Sequence, residues 1–181
     1  MNPSKVLPSL TPLYTRKEIG GRVRELARAL SQSFAGKEPI IIGVLQGACL
    51  FVADLVREMD IPVKMDFVQV GSYGQGTKST GTIHLLKDLG SDIAGQDVIL
   101  VDTVLDTGLT LRFLLDLFNR RHPRSLTTCV LIDKRQRRQV EVKADHVGFV
   151  LADGFIVGYG LDYGGSYRNL DSIYCLKDEE R

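Results

Sequence analysis

Residues 97–110, DVILVDTVLDTGLT, constrain the fold of this chain more than any other stretch. Four consecutive apolar residues, Val98 to Val101, run into Asp102. A second acid, Asp106, stands four residues later, and then Thr107, Gly108 and Thr110. A short run that is apolar throughout fits a strand covered on both faces, which is the environment of a parallel sheet. The spacing predicts a strand over 97–101. After the turn, Leu111, Leu114, Leu115 and Phe118 recur at helical spacing and predict a helix over 109–121. Strand, turn and helix in this order are the unit of an α/β fold.

The rest of the chain repeats that alternation. Thr15 and Glu18 form a capping-box pattern ahead of Ile19, Val23, Leu26 and Leu30, with Gly36 as a stop. A strand is expected over 40–45. A helix is expected over 49–59, with Leu50, Ala53 and Val56 at spacing three. Further strands are expected over 62–70, 82–86, 127–132, 145–150, 155–158 and 173–176. Residues 1–14 hold three of the six prolines and read as an irregular lead-in. Residues 71–81, GSYGQGTKSTG, contain four glycines and no aliphatic side chain, and read as a long polar loop. In open sheets of this type ligands gather at the carboxyl ends of the strands. That rule points to the turns just after Leu45, Val101, Ile132 and Val157.

At 181 residues the chain reads as one domain. Its net charge of +1 gives no reason to expect a nucleic-acid or membrane partner. Cys49, Cys129 and Cys175 are widely spaced, odd in number and flanked by apolar residues, and each reads as a small core residue. No apolar run approaches the roughly 20 residues that span a bilayer, and the N-terminus has no apolar signal region. A cytoplasmic location is the expectation.

The turn at 106–110 has the parts of an anion cradle: backbone amides at a helix start, a glycine that permits close approach, and two threonine hydroxyls. No Walker loop and no dinucleotide fingerprint occurs in the chain. A carboxylate inside a phosphate cradle opposes phosphate binding, so Asp106 calls for another task, such as general acid/base work. The alternative is that Asp106 or Thr107 only caps the helix. Asp102 could bind sugar hydroxyls or support Mg²⁺.

This stretch resembles the phosphoribosyl-pyrophosphate motif of the type I phosphoribosyltransferases. Three further stretches narrow the resemblance to the 6-oxopurine branch, the hypoxanthine-guanine phosphoribosyltransferases. They are GVLQGACLFVADLV at 43–56, GSYGQGTKSTGTI at 71–83, and Lys134 with FIVGYGLDY at 155–163 beginning 21 residues later. The resemblance implies a mostly parallel central sheet flanked by helices. A small hood would come from the N-terminal segment and about 151–181, over a core of about 36–150. It also implies a flexible catalytic loop. The implied reaction joins hypoxanthine or guanine to phosphoribosyl pyrophosphate with Mg²⁺ in a homodimer or homotetramer.

Residue by residue, the resemblance implies that Asp102, Thr103, Asp106, Thr107, Gly108, Leu109 and Thr110 hold phosphate and ribose, with Asp106 managing the proton on purine N7. Lys134 would donate to the purine 6-oxygen, Phe155 stack on the base, and Ile156 offer its backbone to the purine edge. Asp162 would serve the base and Mg²⁺. Gln46, Gly47 and Arg168 would take pyrophosphate, and Ser72 and Tyr73 would close over the centre. The Leu45–Gln46 bond is expected to be cis or switching. Read alone, without the resemblance, Lys134 is a solvated charge in the basic run KRQRR.

Two departures stand out: Thr103 where the family has a second acid, and Gln46 where many members have lysine. A third is milder, since Leu109 stands where some members carry a polar or basic residue. Losing one charged hydrogen bond would weaken substrate or Mg²⁺ binding by roughly ten- to a hundred-fold. Two other functions remain open on the sequence alone. One is a weak or inactive paralogue. The other is an RNA-binding regulator that would use Arg135, Arg137, Arg138 and Lys143, or Arg120, Arg121 and Arg124, as its basic face.

Overall fold

The structure, a computed structural model, describes residues 12–72 and 83–176. Its twelve described elements are β1 (Pro12–Tyr14), α1 (Arg16–Ser33), β2 (Ile40–Leu45), α2 (Cys49–Arg57), β3 (Lys64–Ser72), β4 (Ile83–Lys87), β5 (Asp97–Leu105), α3 (Leu109–Asn119), β6 (Ser125–Lys134), β7 (His146–Leu151), β8 (Phe155–Val157) and β9 (Ile173–Leu176). Six strands form one sheet in the order β4-β3-β2-β5-β6-β7. Every pairing in it is parallel except β3 with β4. The expected mostly parallel, helix-flanked sheet is what the chain builds.

Both faces of that sheet are covered, which is why β2 and β5 are apolar on both sides. Ile41, Ile99, Val101, Cys129 and Leu131 pack under α1 and α2 with Ile19, Val23, Phe51 and Leu55. Ile40, Ile42, Val98, Leu100 and Val130 pack under α3 with Leu111, Leu114 and Phe118. The capping box forms as expected, with Thr15 accepting from the Glu18 amide and Glu18 accepting from the Thr15 amide at 2.8 Å.

A second sheet, β1-β9-β8, is antiparallel. It joins the α1–α2 side of the core through Ile156, Tyr159 and Ile173, and Tyr14 stacks on Phe149 at 4.1 Å.

Several expectations need correction. Pro12–Tyr14 is not irregular lead-in but an edge strand of the small sheet, a place where proline's missing donor costs nothing. β5 does not end at Val101; β6 runs beside it as far as the Leu105–Asp133 pair, so Asp102 lies within the strand. The buried face of α2 is Phe51, Val52 and Leu55, and Leu50 stays 40% exposed. That helix is apolar nearly all round, so spacing could not choose its face. Only Cys129 is a core cysteine. Cys49 opens α2 on its outer side, and Cys175 takes an outward position of β9.

Candidate active site

The turn after β5 is built as an anion cradle. Gly108 stands before α3 with φ of 87°, a left-handed conformation. A methyl added there would lie 2.8 Å from Val142 Cγ1 and 2.9 Å from Arg138 Cδ, so glycine is required by space as well as by φ. The first amides of α3 have no acceptor one turn back within the helix. The Thr107 hydroxyl lies 3.4 Å from the Leu109 amide, and the Thr107 carbonyl accepts from the Gln139 amide at 2.8 Å. Asp102, Asp106, Thr107, Gly108 and Thr110 line one cavity of about 190 Å³. The site thus gathers the phosphate-turn residues expected from sequence, and Leu109 contributes its position in the backbone rather than its side chain to the lining.

Asp102 and Thr103 part company here. Asp102 faces the cavity, half-buried, and burial pushes its carboxyl up to about 7 despite the 2.7 Å hydrogen bond it accepts from the Thr103 amide. Thr103 is fully buried and neighbours Gly47, with its hydroxyl unpartnered among the described residues. Successive strand residues point to opposite faces, so the second position after Val101 looks toward the loop after β2.

Lys134, the last residue of β6, is 3% exposed and is not a solvated member of its basic run. Its Nζ lies 3.3 Å from Asp106 Oδ2, which Arg137 Nη1 also approaches at 3.4 Å. Asp106 Oδ1 is buried with no partner among the described residues. A lone pair and an ammonium therefore sit side by side where two neighbouring strands end. Arg138, grouped with its neighbours as a basic surface, turns inward, with Nε donating to the Asp106 carbonyl at 2.9 Å. Arg135 pairs with Asp133, Arg121 with Asp88 and Arg124 with Asp97, which weakens the basic faces proposed for RNA.

The loop after β2 and the segment after β8 meet directly. Leu45–Gln46 is cis, as expected. Gln46 is exposed. A methyl added at Gly160, φ 94°, would fall 2.1 Å from the Gly47 carbonyl oxygen, so the two backbones touch. Tyr159, beside Gly160, is buried and donates its hydroxyl to Asp54 Oδ2 on α2 at 2.7 Å. Asp162 pairs with Arg168 at 2.8 Å and accepts from the Gly165 amide at 2.8 Å. Arg168 also donates to the Gly160 carbonyl at 2.7 Å. Phe155 is half-buried with Tyr163 edge-on at 5.5 Å. Ile156 packs its side chain in the core and pairs with Cys175 in the ladder. Ser72 ends β3 opposite Ile83, and Tyr73 lies outside the described residues with most of the 71–81 loop.

The described residues contain no cluster of three or more metal-ligating side chains. Asp162 in the segment after β8 and Asp102 in the cavity are separate carboxylates. Such single carboxylates suit Mg²⁺, which keeps most of its shell as water and substrate oxygens. None of the described helices is long and apolar enough to cross a membrane.

Sequence reasoning missed Arg138 and Tyr159. Arg138 was hidden in a run of like charges, and only its folding inward marks it out. Tyr159 was hidden by its neighbours in a glycine-flanked turn.

Comparison with known proteins agrees with this geometry. The family described as phosphoribosyl transferase domain matches residues 9–164. A hypoxanthine-guanine phosphoribosyltransferase of Aquifex aeolicus is 48% identical over 92% of this chain and 94% of its own length. One from Bacillus subtilis is 42% identical over 91% of this chain and 92% of its own. The crystal structure of a hypoxanthine phosphoribosyltransferase from Staphylococcus aureus, 38% identical, superposes with a TM-score of 0.92 over 99% of this chain and 98% of that one. With that identity sustained over nearly the whole length, the chain belongs to the hypoxanthine-guanine phosphoribosyltransferase family.

Proposed function

We propose that this protein transfers the 5-phosphoribosyl group from phosphoribosyl pyrophosphate to hypoxanthine or guanine, releasing pyrophosphate and the purine nucleoside monophosphate, in purine salvage. The observation that carries the reading is the unpartnered Asp106 Oδ1 beside the buried Lys134 ammonium. A 6-oxopurine presents N7 and O6 on one edge. An ammonium has only donors, so it donates to O6 and finds no acceptor in the amino group adenine carries there. The carboxylate takes a proton from N7.

In the reaction, the N9 lone pair bonds to ribose C1 as the bond to pyrophosphate breaks. The purine then carries a surplus proton on N7, which passes to Asp106 Oδ1. The amides and hydroxyls of 107–110 hold the 5'-phosphate, whose charge the start of α3 favours. Asp102 serves the ribose side of the cavity. Thr103, opposite it on the strand, contributes a hydroxyl and no charge toward Gly47. Gln46, Gly47 and Arg168 serve pyrophosphate, the last once its pairing with Asp162 is exchanged. Phe155 provides the stacking face, Ile156 the backbone edge, and Ser72 and Tyr73 the closing loop. Mg²⁺, held by Asp162 with substrate oxygens and water, would neutralise pyrophosphate charge. The reading includes a cytoplasmic homodimer or homotetramer in which each chain acts as one domain, with the small sheet as its hood.

The test is incubation with phosphoribosyl pyrophosphate, Mg²⁺ and each oxopurine, and then nucleotide detection. Asp106→Asn is expected to lose about 100-fold or more in kcat while still binding the nucleotide product, in line with the usual contribution of a general base. Full turnover in that variant would remove the proton role. Absence of nucleotide from the unaltered protein would favour an inactive paralogue.

A further inference from the structure

Arg138 faces no part of the cradle cavity, yet its guanidinium ties together the strands that carry the two purine-facing groups. Nε donates to the Asp106 carbonyl at 2.9 Å. Nη2 reaches the carbonyls of Leu105 at 3.4 Å and Lys134 at 3.3 Å. The same fork contacts the Val142 carbonyl and the Asp133 carboxylate. Leu105 and Asp133 are the last cross-strand pair of β5 and β6. One residue beyond that pair stand Asp106 and Lys134, where the ladder no longer sets their separation. Lys134 still pairs with Leu151 of β7, but no ladder pair joins Asp106 to Lys134. A rigid planar cation with five N–H groups can join them, and a single point charge cannot reproduce that pattern.

We propose that Arg138 is a positioning residue for phosphoribosyl transfer, whose guanidinium fixes the distance between Asp106 Oδ1 and Lys134 Nζ and so registers the N7–O6 edge of the purine. This rests on the functional reading above. The Arg138 stem also packs on Gly108, but the phosphate turn has further support, since the Gln139 amide holds the Thr107 carbonyl at 2.8 Å and Val140 and Val142 pack on Gly108 as well. Arg138 therefore acts on the purine end of the site more than on the phosphate end.

The experiment measures kcat and both KM values for Arg138→Gln and Arg138→Lys, in the unaltered protein and in an Asp106→Asn background, with thermal melting to monitor folding. Arg135→Gln is the control, because the Arg135 side chain is 69% exposed and, among the described residues, pairs only with the Asp133 carboxylate. Arg138→Gln should lower kcat/KM for the purine about 100-fold, the scale of an ångström-sized misplacement. KM for phosphoribosyl pyrophosphate should stay within about threefold. In the Asp106→Asn background the same change should cost little, because the carboxylate it positions is gone. Arg138→Lys keeps the charge beside Asp133 but not the fork. It should fold and show the same pattern, which covers the case in which the Gln variant does not fold. A folded Arg138 variant with unchanged purine kcat/KM would overturn the proposal. So would an equal loss in both backgrounds, the mark of a general structural effect. Undiminished turnover in Asp106→Asn alone would instead sink the functional reading.

Discussion

Asp102 and Asp106 lie four residues apart and lead different lives. Asp106 has Lys134 and Arg137 at its outer oxygen. Asp102 has no cation paired with it among the described residues, and burial raises its carboxyl to about 7. A raised carboxyl binds its proton longer in the folded state than in the unfolded one. Stability from this group is therefore full below about pH 4 and is lost as pH rises toward 7. Asp102→Asn removes that loss. Urea unfolding should show the variant and the unaltered protein differing least near pH 4. The variant should gain relative stability by pH 8, by up to about 4 kcal/mol for a rise from 3.8 to about 7. A gap independent of pH would contradict the burial argument.

Asp106 and Lys134, the groups proposed to face the purine, stand where β5 and β6 end, and the turn between β5 and α3 shows what that requires. Gly108 combines a left-handed φ with side chains of Val142, Arg138 and Val140 at its Cα. Gly108→Ala adds a conformational cost of about 1–2 kcal/mol and an overpacking cost of about 1–3 kcal/mol. Chemical denaturation should register a loss of about 2–5 kcal/mol from the sum of the two. KM for phosphoribosyl pyrophosphate should rise as the turn is displaced. Stability within a few tenths of the unaltered protein would mean that the turn is not packed as described. The other elements were largely legible. β2 and β9 match their expected limits, since each is a short apolar run bounded by turn residues. The full length of β5 was not legible, because Asp102 and Thr103 look like a strand end until β6 is seen running alongside.

At the scale of the whole molecule, the two sheets also meet through the loops that follow β2 and β8. At those loops Gly160 lies against Gly47 and Tyr159 reaches Asp54, beside the core packing of Ile156 and Ile173 and the Tyr14–Phe149 stack. Tyr159→Phe leaves the ring in the core and removes only this link. The cost in stability should be about 1 kcal/mol, since the half-exposed Asp54 can rehydrate. Native-state hydrogen exchange should then show amides of β8 and β9 opening more readily than those of β5. Equal protection throughout would mean that the bond does not tie the small sheet to the core.

The sequence by itself determined the alternation of strands and helices, the cradle turn and the family motifs, because these depend on local periodicity and on backbone positions only glycine fills. It marked Asp106 as unusual through the conflict between a carboxylate and a phosphate cradle. Only the tertiary structure decided which cations meet that carboxylate, which face of α2 is buried, and that Arg138 points inward. Those outcomes depend on register between strands far apart in sequence. A run of like charges or an all-apolar helix carries no local signal of which way each side chain will turn.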